Sequence, residues 1–87
     1  MKILVVCGMG LGSSHYLLME VIDWIKKLGI EADVDNCDLF TAQNETADVY
    51  IGADYIIHMI EGDGIKIGLD DLLDSEELGQ RLGELVE

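Results

Sequence analysis

The feature of this sequence best suited to chemistry is a cysteine leading a run of glycines and serines, Cys7-Gly8-Met9-Gly10-Leu11-Gly12-Ser13-Ser14. Glycines at alternate positions let a backbone fold tightly, so that its N–H groups converge on one point. The hydroxyls of Ser13 and Ser14 add donors. A helix beginning near those serines would contribute unsatisfied N–H groups and its positive dipole end. Together these form a socket for a tetrahedral dianion that needs no cationic side chain. A thiol at its mouth is expected to have a lowered pKa, because donors that hold an anion also hold a thiolate. The expected chemistry is in-line attack by the Cys7 thiolate on a phosphoryl group, with loop amides taking up charge on the equatorial oxygens.

What the loop lacks is equally informative. Small cysteine phosphatases hold phosphate with an arginine six residues after the cysteine, and Ser13 stands there. The nearest downstream cation is Lys26, and no Asp-Pro pair offers a general acid. Transfer to another acceptor therefore fits better than hydrolysis. The glycines do not follow the dinucleotide pattern, and no Lys-Ser or Lys-Thr of a nucleotide-binding loop is present, so no cofactor is expected. His15, early in the helix, is an auxiliary candidate: protonated, it adds a cation near the socket. His15 and His58 do not combine with Cys7 into a metal site, for want of further ligands at suitable spacing. Met9 and Leu11 lie outside any core periodicity and suit an apolar rim for a partner protein. Cys37 and Trp24 read as packing.

The elements that would position this loop follow from periodicity. Lys2 to Val6 is a nearly continuous β-branched run, as in a strand covered on both faces. Residues 7–14 read as loop. From about Ser14, Leu17, Leu18, Val21, Ile22, Ile25 and Leu28 recur at helical spacing, ending at Gly29. A second strand over about Ile30 to Cys37 alternates as at a sheet edge, and a helical turn is expected around Leu39 to Gln43. Asp48 to Ile51 is a third strand, after which Asp54 is expected to cap a short helix. Ile65 to Leu69 is a fourth strand, and Ser75 to Val86 a last helix. Strands alternating with helices imply right-handed crossovers and a parallel sheet. The expected fold is a single α/β domain over residues 1–87. It is a three-layer open sheet of four parallel strands in the order 2-1-3-4, Rossmann- or flavodoxin-like, with Cys7 at a carboxyl strand end, where such sheets bind ligands.

Composition narrows the partners. The 87 residues carry 18 acidic and five basic side chains, a formal net charge of -13. Nine carboxylates and no lysine or arginine fall between Leu28 and Ile65. Nucleic acid and anionic lipid both demand cations, so neither is an expected partner. An acidic face suits a basic protein. No apolar run reaches the length of a signal core or a membrane span, and a cytoplasmic location is the expectation.

The segment from Cys7 to Ser14, following a first apolar strand, resembles the phosphocysteine loop of the IIB components of the bacterial phosphoenolpyruvate-dependent sugar phosphotransferase system. The resemblance is strongest to the ascorbate and galactitol group. It extends through Asn36-Cys37, through Ala47-Asp48-Val49-Tyr50-Ile51 and through Ile67-Gly68-Leu69-Asp70-Asp71-Leu72-Leu73. The glycine-rich loop itself sets the chain apart from the lactose and cellobiose group. The resemblance implies a phosphotransferase in which Cys7 accepts a phosphoryl group from a phosphohistidine on a IIA protein. Residues Gly8 to Ser14 cradle it, and it passes to a sugar or polyol held by a membrane-embedded IIC protein. The domain would then meet the inner face of the membrane transiently, through IIC. A small cysteine phosphatase and a docking module of the same fold remain as rivals.

Overall fold

Ile3, Leu4, Val5 and Val6 are all buried, which a strand achieves only when both of its faces are covered. The computed structural model describes residues 1–7, 11–70 and 75–86; the side chains of Cys7, of residues 11–15 and of Val86 lie outside that description. Within it, β1 (Lys2–Cys7), β2 (Asp33–Asp38), β3 (Val49–Ala53) and β4 (Ile65–Leu69) form one sheet. The order is β2-β1-β3-β4 and every pairing is parallel, as the sequence pattern predicts.

Alternation along β1 divides the core in two. Ile3 and Val5 join Leu17, Val21 and Ile25 of α1 (Leu11–Leu28) and Leu78 and Leu82 of α4 (Ser75–Gly83). Leu4 and Val6 join Ala42 of α2 (Leu39–Gln43) and Ile56 and Ile57 of α3 (Asp54–Ile57). Two helices cover each face of the sheet, giving three layers. A 3₁₀ turn, Glu84–Val86, follows α4, so the last helix is shorter than the apolar spacing suggests.

The two outer helices on the first face are pinned to each other by a short polar chain. Trp24 Nε1 donates to Ser75 Oγ at 2.9 Å, and Ser75 Oγ donates to Glu20 Oε2 at 2.7 Å. The indole otherwise packs against the first cluster, in keeping with its expected role. β2 lies at the sheet edge, as its alternation implies, and four of its six residues are exposed.

Several boundaries differ from expectation: β2 starts at Asp33 and not near Ile30, and β1 and β3 run on to Cys7 and Ala53. α1 starts at Leu11, not near Ser14. Gly12, Ser13 and Ser14 read as loop by composition, but they occupy a first helical turn, whose leading N–H groups have no intrahelical acceptor in any case. α3 starts at Asp54 with Ala53 as its N-cap, and no side chain caps it. Asp54 is therefore not the cap: its carboxylate turns along the helix to His58, Nε2 to Oδ1 at 3.2 Å. Among the described residues, no helix is long and apolar enough to cross a membrane.

Candidate functional site

The chain leaves β1 through α1 on one face and reaches β2 at the edge. It leaves β3 through α3 on the other face and reaches β4 at the opposite edge. Connections that part in this way open a crevice beyond the carboxyl ends of the two strands between them, here β1 and β3. Cys7 is the last residue of β1 and lies at that crevice.

The surroundings of Cys7 follow from the register. One row back, Cys37, Val6, Gly52 and Gly68 stand side by side across all four strands. Cys37 is half-buried against the second cluster, consistent with packing. Gly68 lets α3 lie close over the sheet end, and Gly52 leaves room for the β1 backbone beside it. A Cβ on Gly52 would stand 2.5 Å from the Val6 carbonyl oxygen, and one on Gly68 would stand 2.9 Å from Asp54 Cα. In the final row, Cys7 pairs with Asp38.

Asp38 has a defined task. As N-cap of α2 it accepts the Thr41 N–H at 2.7 Å. Those bonds from Thr41 hold its carboxyl below the ordinary value of 3.8. The carboxylate beside the end of β1 therefore stays ionised and committed to its helix. Carboxylates recur at the other strand exits: Asp54 follows β3 directly and Asp70 follows β4.

Of the loop residues singled out from sequence, Gly8, Met9 and Gly10 lie outside the described residues. Leu11, Gly12, Ser13 and Ser14 are the first four residues of α1, and His15 is the fifth. Helix geometry leaves the N–H groups of the first three, Leu11 to Ser13, without an intrahelical acceptor. Three residues therefore separate Cys7 from the N-terminus of an 18-residue helix. Ser13 and Ser14 sit inside the first turn, which excludes them as its N-cap. Among the described residues, no group of His, Cys, Asp and Glu could hold a metal ion.

Sequence reasoning missed two side chains at this end of the molecule. Phe40 and Tyr55 are the second residues of α2 and α3, and they are 75% and 71% exposed. Their signal was faint: each interrupts a helical turn whose other apolar residues point inward.

Comparison with known proteins places the chain. The family model described as "PTS system, Lactose/Cellobiose specific IIB subunit" matches residues 2–82. The ascorbate-specific PTS system EIIB components of Salmonella typhimurium and Escherichia coli O157:H7 are each 30% identical over 89 residues. Those matches take in 98% of this chain and 88% of each relative. By its composition the glycine-rich loop is expected to set the chain apart from the lactose and cellobiose group; the family model carrying that description nevertheless matches the chain, so the match is to the family and not to one subgroup. That family model takes in residues 2–82, the loop included. This chain belongs to the IIB family of the bacterial sugar phosphotransferase system, whose role is phosphoryl transfer.

Proposed function

We propose that Cys7 is the phosphoryl carrier of this domain, charged by a IIA protein and discharged to a sugar or polyol bound by a membrane-embedded IIC protein. The observation that carries this reading is the position of Cys7. It ends β1 at the crevice between diverging connections, three residues ahead of the N-terminus of α1. In the first step the Cys7 thiolate forms a bond to phosphorus as the P–N bond of the donor's phosphohistidine breaks. The imidazole nitrogen keeps the electron pair and leaves protonated on its other nitrogen, as neutral imidazole. In the second step a substrate hydroxyl oxygen bonds to phosphorus, the S–P bond breaks, and the thiolate returns while the hydroxyl proton is lost to a base.

The chain's own contribution is positional and electrostatic. Amides between Gly8 and Ser14, with the two serine hydroxyls, are assigned to the equatorial oxygens, where preorganised donors stabilise developing charge. Ascorbate is the favoured substrate, since the relatives named above carry that specificity in their names. The sugar itself would be read by IIC, so this domain works as one unit on the inner face of the membrane.

Labelled phosphate tests the reading. With phosphoenolpyruvate, the general phosphotransferase proteins and an ascorbate-type IIA protein, the chain should take up one phosphoryl group, and Cys7→Ser should take up none. Rapid turnover of an aryl phosphate by the isolated chain would instead make it a phosphatase.

A further inference from the structure

Two aromatic side chains at the phosphoryl-bearing end have no structural employment. Phe40 and Tyr55 are the most exposed of the large apolar residues among those described. Each follows a strand that flanks β1: Phe40 comes two residues after Asp38 of β2, and Tyr55 two residues after Ala53 of β3. Neighbouring strands are about 4.8 Å apart, so the two helices start about 10 Å apart with the end of β1 between them. Both helices are firmly seated, α2 by the Asp38 cap and the buried Ala42, α3 by the buried Ile56 and Ile57. The rings are thus held out on fixed supports on either side of Cys7.

The charges around them are one-sided. Asp38, Asp54 and Asp70 stand at the exits of β2, β3 and β4. The five cations are elsewhere. Lys2 opens β1 and pairs with Glu45, Lys26 and Lys27 are in the last turn of α1, Lys66 is the second residue of β4, and Arg81 is in the last turn of α4. None of the five sits at the carboxyl end of a strand or in the first turn of the helix after it. Apart from the amides and helix end assigned to the dianion, and from His15 and His58, the charged side chains described at this end are carboxylates, so a complementary cationic face must come from a partner.

We propose that the carboxyl end of the sheet docks its phosphoryl-donor protein through Phe40 and Tyr55 as paired anchors, and that the Asp38, Asp54 and Asp70 carboxylates select a donor face rich in lysine and arginine. This rests on the function proposed above and deepens it by naming the partner's chemistry. Buried aromatic anchors ringed by polar groups carry most of the binding energy in protein interfaces. Complementary charge mainly raises the encounter rate and makes it sensitive to salt.

The test measures phosphoryl uptake at Cys7 from two donors, a phosphorylated ascorbate-type IIA protein and phosphoramidate, a small P–N donor that needs no docking face. In Phe40→Ser/Tyr55→Ser, the second-order rate with the protein donor should fall at least about ten-fold relative to the phosphoramidate rate. Ile65→Ser, an exposed apolar residue at the start of β4, should keep the wild-type ratio. In Asp54→Asn/Asp70→Asn, the decline of the protein-donor rate with added salt should flatten. Equal ratios in wild type and the aromatic double variant would overturn the docking inference. So would a wild-type chain charged by phosphoramidate but not by the protein donor. Failure of both donors to modify Cys7 would overturn the proposed function itself.

Discussion

Gly68 on β4 leaves the space that Asp54 on α3 occupies: a Cβ at Gly68 would stand 2.9 Å from Asp54 Cα and would meet the carboxylate as well. Because the nearest backbone atom belongs to the first turn of α3, relief requires the helix to move. Gly68→Ala should therefore cost about 1–3 kcal/mol, as other overpacked sites do. Urea unfolding measures it, and an unchanged midpoint would mean that α3 does not sit tightly on the sheet end.

The link between α1 and α4 is a separate stability term. Removing the indole donor in Trp24→Phe breaks the 2.9 Å bond to Ser75 while keeping an aromatic ring. A double-mutant cycle with Ser75→Ala should give a coupling of about 0.5–1.5 kcal/mol, the usual net value of such a bond. Strict additivity would show that the two helices are held by apolar contact alone.

Asp38 gives a pH dependence of definite sign. Its folded pKa is lowered by the bonds from Thr41, so its contribution to stability is present above the unfolded value of 3.8 and fades as pH falls through the folded one. Asp38→Ala should be less stable than wild type near neutrality, and the gap should close in acid. Asp38→Asn should keep the cap without that acid-dependent change. Thermal melts of the three proteins across pH decide it; a gap that widens in acid would contradict the cap.

The thiol of Cys7 should react as a thiolate below the ordinary cysteine value of about 8.5. Alkylation rates against pH, measured in a Cys37→Ser background so that one thiol reports, should show a midpoint under that value. A midpoint at or above it would argue against an anion-stabilising loop.

Strand order and layering were legible because β1 and β3 are apolar on both faces and β2 alternates, and burial follows those patterns closely. β4 ran from Ile65 to Leu69 as its turn-flanked apolar run indicated. The start of α1 was not legible, since glycine and serine suit a loop and a first helical turn alike. Asp54 looked like a cap because of its type and place, but its fate depended on His58 one turn on and on the room left by Gly68. Nothing local told an outward Phe40 or Tyr55 from an inward one: their exposure is set by how α2 and α3 settle on the sheet. Cys7 was conspicuous at once, because its loop composition has no use in a core.

The decisive measurement locates the phosphoryl group. Trypsin cuts after Lys2, Lys26, Lys27, Lys66 and Arg81, so Cys7 falls in fragment 3–26 with His15, and Cys37 falls in fragment 28–66 with His58. After charging by a phosphorylated IIA protein, fragmentation mass spectrometry should find one phosphoryl group, on Cys7 of fragment 3–26. A phosphoryl group on His15, or anywhere in fragment 28–66, with Cys7 unmodified, would contradict a carrier built on that sulfur.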